Sequence, residues 1–309
     1  MTTATSSRSS KKILGLIIAA GLSQMIVVID YMAIAVAMPD MAKDFGIEPV
    51  NLQWVITGYI LSFSVMLGIA GPLGDRYGRK RLLLVGITAF GLTSLWVGFS
   101  NSATMVIIAR IVLGLGGGML LPLSTAVVSA GETEKSLPRT LAILTGVATI
   151  GMAVGPVIGG VFTDELSWRW IFWVNAPIAA LAFAAVALLA EESKDEESSG
   201  PIDLLGIALL IPTIALLAFG VDRIPHWPTL EWAGLLGGGV ITGILFFVVE
   251  HRQANPIIDL KLLFNRTFAG YTLAGTLANS TWCVLIFALT MHLQTVAHDS
   301  AMQTGLIFL

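Results

Sequence analysis

The sequence predicts an all-α polytopic membrane protein, and three observations lead to that prediction. Apolar residues make up 55% of the 309 residues and charged residues only 12%, whereas about a quarter of a soluble domain is charged. Apolar runs of the length that crosses a bilayer as a helix, about 20 residues, recur along the whole chain. The basic residues gather in alternate loops between these runs. The lipid bilayer is therefore the predicted solvent of this chain.

Nine apolar runs are predicted to span the membrane, at residues 13–38, 51–73, 82–99, 104–128, 138–163, 169–190, 204–222, 231–250 and 267–292. A tenth run begins near Gly305 and stops at Leu309. Because a chain does not normally stop inside an apolar run, we expect this sequence to be the front part of a longer protein or a truncated product. The missing helices are then expected in the same chain or in another one.

The first run is predicted to be an uncleaved helix whose N-terminal tail, residues 1–12, lies in the cytoplasm. A signal peptide is the competing interpretation, but the run to Met38 exceeds a signal core of roughly 7–15 residues. With the N-terminus inside, inner segments hold thirteen of the 17 basic residues and outer segments hold three. Inner loops of membrane proteins collect Lys and Arg. The predicted location is the cytoplasmic membrane.

Composition and motifs argue against several other functions. The net charge is −3 and no basic patch extends beyond short loops, so no nucleic acid is expected as a partner. The single cysteine, Cys283, lies in an apolar run and offers no disulfide framework. The four histidines show no metal-ligand spacing, and neither a phosphate-binding loop nor a nucleophile elbow is present. The sequence predicts no enzyme, no metal and no cofactor.

Asp30 and Arg110 are the two ionisable residues deepest inside apolar runs. An intramembrane charge is costly and indicates function by default. At ~1.5 Å per residue both lie roughly 7–8 Å outward of the centres of their helices, and this equal depth permits a pair. Two interpretations stay open: an ion pair that only packs the bundle, or a proton-coupling pair in which Asp30 exchanges a proton as Arg110 approaches and withdraws.

A strongly basic turn follows the second run, in which Gly71 and Gly78 stand at fixed offsets around Asp75, beside Arg76 and Arg79. An ordinary cytoplasmic loop is the simplest interpretation, but the order of residues is more specific than charge. It resembles the loop between helices 2 and 3 of the major facilitator superfamily of transporters. That resemblance implies the major facilitator fold, and it implies a conformational switch formed by Gly71, Asp75, Arg76, Gly78 and Arg79.

A faint internal repeat agrees with this resemblance. Gly71 precedes Asp75 by four residues after the second run, and Gly160 precedes Asp164 by four after the fifth. The two loops are predicted to lie on opposite membrane faces, as inverted three-helix repeats would place them.

The first and fourth runs resemble the fourteen-helix drug:proton antiporter branch of this superfamily. The segment from Asp30 to Pro39 matches the helix 1 signature, although Met32 and Ala35 replace its usual threonine and asparagine. The segment Arg110-Ile-Val-Leu-Gly resembles the helix 4 signature, with leucine in place of its glutamine. In that family the arginine is tied to proton transfer, so the resemblance implies proton coupling by Asp30 and Arg110.

The fifth run carries small residues on one helix face. Their spacing of four lets a neighbouring helix approach closely, and proline bends a helix. Generic packing would explain the glycines alone, but the full string resembles the antiporter signature of the superfamily and favours efflux over uptake. The residues are Gly151, Gly155, Pro156, Gly159 and Gly160.

The segment from Trp168 to Pro177 also resembles the fourteen-helix branch, which inserts two helices between its halves. The predicted domains are a tail at 1–12, an N-terminal six-helix bundle at 13–190, a cytoplasmic acidic linker at 191–203, two inserted helices at 204–250 and the incomplete start of a C-terminal bundle at 251–309.

The ninth run carries a polar stripe that includes Thr272, Thr276 and Asn279. Hydrogen bonds between helices and the lining of a cavity are equally good explanations.

These observations predict a proton-coupled secondary transporter that exports drugs or other small amphipathic compounds by alternating access. Its partners would be a small-molecule substrate and protons. Two alternatives remain: an exporter of a self-made metabolite or antibiotic, and a membrane fragment that does not transport.

Overall fold

The computed structural model describes residues 10–48, 52–130, 132–194, 203–224, 227–253, 256, 260–297 and 299–307. Every regular element in these ranges is a helix, which confirms the predicted all-α class. The helices are α1 (Ser10–Phe45), α2 (Trp54–Tyr77), α3 (Arg79–Gly98), α4 (Ala103–Ser129), α5 (Leu137–Glu165), α6 (Arg169–Trp173), α7 (Asn175–Leu189), α8 (Leu204–Arg223), α9 (Thr229–Glu250), α10 (Leu260–Phe264), α11 (Arg266–Thr295) and α12 (Ala301–Ile307).

Within the described residues, eight helical stretches are long and apolar enough to cross a membrane, one fewer than the nine predicted. The difference lies at the run 204–222. Helix α8 forms there, but its apolar stretch is Leu205–Val221, which at ~1.5 Å per residue covers only about 25 Å. Because the hydrocarbon core is about 30 Å thick, the length of α8 alone does not establish a span.

Two other predicted runs have different bounds in the structure. Helix α1 continues through Pro39 to Phe45, well beyond the predicted end at residue 38. The run 169–190 is interrupted at Val174, so the short α6 and the longer α7 together replace one helix. This interruption makes Asn175 the first residue of α7.

Helices α1 to α7 form a bundle. Helix α1 packs on α5 and α7, α2 packs on α4, and α3 packs on both α4 and α7. Helices α8 and α9 pack on each other, and α8 also touches α2. Helix α11 is largely exposed from Arg266 to Trp282, and α12 lies against α5. Most of the predicted linker, residues 195–202, lies outside the described residues.

Glycines bring the helices of the bundle close at two crossings. A Cβ atom at Gly155 of α5 would lie 2.7 Å from Cβ of Met32 on α1, and one at Gly159 would lie 2.8 Å from the carbonyl oxygen of Ala33. At the α2–α4 crossing, a Cβ atom at Gly114 would overlap the Ser62 hydroxyl. These contacts let α5 approach α1 closely and let α4 approach α2 closely, and α1 and α4 are the helices that carry the predicted charges.

The two ends of the bundle carry the two motif loops. We call the end with the α2–α3 turn, residues 75–81, the basic end. The opposite end, with the α5–α6 turn at residues 165–169, we call the far end. Because α3 runs from the basic end to the far end, the loops after Gly71 and Gly160 lie at opposite ends, as an inverted repeat requires.

Candidate functional site

Asp30 and Arg110 form an ion pair in the interior of the bundle. Nη1 of Arg110 donates a hydrogen bond to Oδ2 of Asp30, and both side chains are 0% exposed. The structure thus brings together the two residues that the sequence placed at equal depth. Removing one partner of such a buried pair leaves an uncompensated charge, which typically costs about 3–5 kcal/mol.

Three uncharged groups also hold the Arg110 guanidinium. Its Nε donates a hydrogen bond to the carbonyl oxygen of Val55 at 3.0 Å. Its Cζ atom lies 4.1 Å from the centroid of the Tyr59 ring and 5.7 Å from that of Phe172. A cation over an aromatic face within about 6 Å is attracted by the ring quadrupole. The cation therefore has partners on α2 and α6 as well as on α1.

The second carboxylate oxygen of Asp30 faces the start of α7. Nδ2 of Asn175 lies 3.5 Å from Oδ1 of Asp30 and 3.1 Å from Oγ of Ser94. Ser94 in turn donates a hydrogen bond to the carbonyl oxygen of Phe172 at 3.0 Å. The ion pair therefore sits where six helices, α1, α2, α3, α4, α6 and α7, meet.

Sequence reasoning missed Asn175 and Tyr59. Asn175 lies in the segment that resembles the drug antiporter branch, and that segment was its only signal. Tyr59 had no signal, because an aromatic residue within an apolar run looks like any other core residue.

The glycines of α5 share the face that packs on α1, directly behind Asp30. A Cβ atom at Gly151 would lie 3.0 Å from the carbonyl oxygen of Met25, and Gly155 faces Ile29 and Met32. Pro156 and Gly160 are buried in the same helix. The stripe therefore sets the position of α1, while its predicted role as an antiporter signature stays a prediction.

The predicted switch residues lie at the end of α2 and the start of α3. Asp75 pairs with Arg79, whose Nε lies 2.7 Å from Oδ1 of the acid. Gly78 has φ +110°, a conformation that side chains disfavour. Gly71 has open space around its Cα, so no close approach requires a glycine there. The guanidinium of Arg76 lies 5.8 Å from the Tyr77 ring.

Glu192, rather than the nearby Asp75, occupies the start of α3. The backbone N–H groups of Lys80 and Arg81 donate hydrogen bonds to the Glu192 carboxylate at 3.0 and 3.1 Å. Free N–H groups of a first helical turn favour an anion. The segment after α7 thus caps α3, and Asp75 reaches that helix only through Arg79.

A cavity of about 350 Å³ opens between α1, α2 and α11. Its described lining is mostly apolar, with three polar side chains, and consists of Tyr31, Met32, Ala35, Met38, Gln53, Ile56, Thr57, Val284, Ile286 and Ala288. Thr272, Thr276 and Asn279 are exposed on α11, away from this lining. Among the described residues, no group of three or more His, Cys, Asp or Glu could hold a metal ion.

Known proteins with similar sequences are resistance and export proteins. The chain is 33% identical over 95% of its length to the Multidrug resistance protein Stp of Mycobacterium tuberculosis, covering 55% of that protein. It is 32% identical over 93% of its length to the Lincomycin resistance protein of Streptomyces lincolnensis, covering 60%. It is 37% identical over 92% of its length to the Cephamycin export protein CmcT of Amycolatopsis lactamdurans, covering 59%. The chain thus spans somewhat more than half the length of these relatives.

Solved structures of transporters share the fold. The peptide transporter POT in complex with sulfate superposes with a TM-score of 0.57 at 18% identity, covering 80% of this chain and 54% of that one. A bacterial homolog of the human lysosomal transporter Spinster superposes with a TM-score of 0.51 at 14% identity, covering 78% of this chain and 61% of that one. Residues 20–309 match the Major Facilitator Superfamily. With the bundle, its two motif loops and its buried ion pair, these matches show that the chain belongs to the Major Facilitator Superfamily.

Proposed function

We propose that the protein carrying this sequence exports small amphipathic compounds from the cell in exchange for protons, with Asp30 as the proton carrier. The observation that supports this most strongly is the ion pair between Asp30 and Arg110, fully buried in an apolar bundle. An intramembrane ion pair is expensive to build and is a common part of proton relays. Drug efflux and resistance proteins among the relatives support the same direction of transport.

The coupling would work through the cost of separating the pair. While Asp30 is ionised, it and Arg110 compensate each other's charge. When the helices move apart, a neutral Asp30 is far cheaper to leave in an apolar site than a carboxylate, so separation favours uptake of a proton. The return to contact favours its release, because a nearby cation stabilises the carboxylate.

The orientation follows from the basic loops. We place the N-terminus and the basic end in the cytoplasm, because inner loops collect Lys and Arg. Residues 71–79 would then act as the conformational switch at the cytoplasmic face. Residues 204–250 would be two helices inserted between the halves of a fourteen-helix transporter, and 251–309 would begin its second half.

The cavity suggests the class of substrate. Its lining is apolar and includes Met32 and Met38, whose flexible thioethers adapt to varied shapes. Tyr31, Gln53 and Thr57 add hydrogen-bonding groups. Such a surface suits amphipathic molecules better than strongly charged ones.

A second candidate is an exporter of a compound that the cell itself makes. The Cephamycin export protein CmcT, at 37% identity, favours it. The mechanism would be the same, and only the substrate would differ. Export assays with a drug panel, compared with extracts of the producing cell, separate the two candidates.

The proposal is tested by Asp30→Asn in the full-length gene product, assayed in inverted membrane vesicles with an imposed proton gradient. We expect loss of gradient-driven export with folded protein still in the membrane, because the amide keeps the shape of the side chain but cannot carry a proton. Glu165→Gln, at an exposed carboxylate at the end of α5, is the matched control and should export normally. Export by Asp30→Asn at the parent rate, with the parent's pH dependence, would contradict the proposal.

A further inference from the structure

Within the buried pair, Arg110 contacts more neighbouring groups than Asp30 does. Asp30 contacts Arg110 and, at 3.5 Å, the amide of Asn175. Arg110 contacts the carboxylate, the carbonyl of Val55 and two aromatic rings. Arginine keeps its charge in proteins, so protonation of Asp30 would leave a cation in the apolar interior with only its uncharged partners.

The ionisable groups around this cation are few. Asp30 approaches it from α1 and Tyr59 from α2, and the ring of Phe172 faces it from α6. Asn175 of α7 contacts Asp30, and Ser94 of α3 contacts Asn175, so these two uncharged side chains reach the cation only through the acid. Among the described contacts of Arg110, no second acid could replace Asp30. A neutral group must therefore hold the guanidinium during the protonated step.

Tyr59 is the group best placed to do so. Its ring centroid lies 4.1 Å from Cζ of Arg110, whereas the Phe172 ring is 5.7 Å away. Tyr59 is 2% exposed, and attraction between a cation and an aromatic face strengthens when both are removed from water. The α2–α4 crossing fixes its backbone, because a Cβ atom at Gly114 would overlap the Tyr59 carbonyl oxygen.

The hydroxyl of Tyr59 takes no part in this contact. It is buried, and no described group hydrogen-bonds it. A buried hydroxyl without a partner stabilises nothing by hydrogen bonding. The aromatic face is therefore the functional part of the side chain, and phenylalanine would supply it equally well.

We propose that Tyr59 is a positioning residue that keeps the Arg110 guanidinium seated in the bundle while Asp30 is neutral. This inference rests on the proposed proton coupling and deepens it. It explains how one carboxyl group can gain and lose a proton without releasing its partner from the site.

The test is a double-mutant cycle in the full-length protein. Tyr59→Leu, which removes the ring, and Tyr59→Phe, which keeps it, are each made in the parent and in Asp30→Asn, which holds position 30 neutral. Melting temperatures are measured in detergent. We expect the loss caused by Tyr59→Leu to be about twofold larger in Asp30→Asn than in the parent, since residues that share one contact network are not additive. Tyr59→Phe should leave the melting temperature unchanged, both in the parent and in Asp30→Asn.

A second readout is the pH profile of export in the single variants. Tyr59→Phe should follow the parent profile, and Tyr59→Leu should lose export most at the acidic end, where Asp30 is most protonated. Equal losses of melting temperature from Tyr59→Leu in both backgrounds would overturn the inference, as would a Tyr59→Phe variant that behaves like Tyr59→Leu. The melting cycle needs no transport, so its outcome stands even where export itself fails.

Discussion

The basic end and the far end of the bundle carry basic residues at repeat-related positions, and these residues bind different partners. The same spacing along the chain separates Gly71 from Gly160, Asp75 from Asp164 and Lys80 from Arg169. At the basic end, Nζ of Lys80 donates hydrogen bonds to the carbonyls of Ala187 and Ala190 at 2.8 and 2.9 Å, at the end of α7. At the far end, Nη2 of Arg169 donates to the carbonyl of Ser100 at 3.2 Å, just beyond the end of α3.

The acids at the two ends come from different parts of the chain. At the far end, Asp44 of α1 accepts hydrogen bonds from Arg169 at 2.7 Å and from the Trp168 indole at 3.1 Å. At the basic end, Glu192 follows α7 and binds the backbone of α3. The far end is thus tied to the helix that carries Asp30, whereas the basic end is tied to the segment that leads into the predicted linker. The basic end also contacts α1, through the exposed ion pair of Lys12 with Glu191 at 3.5 Å.

The largest effect is expected from breaking the far end. Arg169→Met removes two hydrogen bonds to Asp44 and Ser100 and the stacking of the guanidinium on Trp168, whose ring centroid is 4.3 Å away. We expect the free energy of unfolding to fall by about 3 kcal/mol, because bonds to charged groups are the strong ones. The measurement is unfolding in mixed detergent micelles.

Lys80→Met is the matched variant at the basic end. We expect it to lower the free energy of unfolding by less, because the Lys80 ammonium binds backbone carbonyls and its removal leaves no acid unpaired. Equal costs for the two variants would mean that the contact with Asp44 adds nothing, and the comparison between the ends would fail.

The next effect concerns Gly78, which lies between α2 and α3. At φ +110°, an added Cβ atom would be strained and would lie 2.7 Å from the Glu192 carboxyl carbon. Gly78→Ala should therefore cost about 2 kcal/mol, seen as a lower melting temperature in detergent.

Gly71→Ala is the control within the same motif. Its Cβ atom meets nothing within 4 Å, and alanine favours a helix by about 1 kcal/mol over glycine. A loss at Gly71 as large as at Gly78 would show that the backbone geometry of the turn is not what requires Gly78.

The smallest effect is expected from the charge that caps α3. Glu192→Gln keeps an oxygen for the N–H groups but removes the negative charge, so we expect a loss of about 0.5 kcal/mol at low salt. The loss should shrink at high salt, because ions screen exposed charges. Glu191→Gln, whose carboxylate pairs with Lys12 at 3.5 Å, should show no loss beyond its own weak ion pair. A Glu192→Gln cost that salt does not change would contradict capping by charge.

Much of the site could be predicted because depth in the membrane can be read along the chain. Asp30 and Arg110 are charges in apolar runs, and counting residues from the run centres placed them at one level, where the structure joins them. The glycine stripe of α5 could also be predicted, because residues spaced by four lie on one face of a helix. Glu192 was not predicted as the cap of α3. In the sequence it is one acid among several in a polar linker, and nothing there indicates which of them folds back.

The sequence by itself determined that this chain is helical and lies in the membrane, that α3 and α6 begin with basic residues at repeat-related positions, and that two opposite charges share one depth. These features follow from local composition, because a bilayer forces each span to satisfy its own backbone. Only the tertiary structure decided that Tyr59 lies under Arg110, that Asn175 faces Asp30 and that Asp44 and Glu192 close opposite ends. Those contacts depend on how each helix is rotated and crossed by its neighbours, and side chains from distant segments set that rotation together.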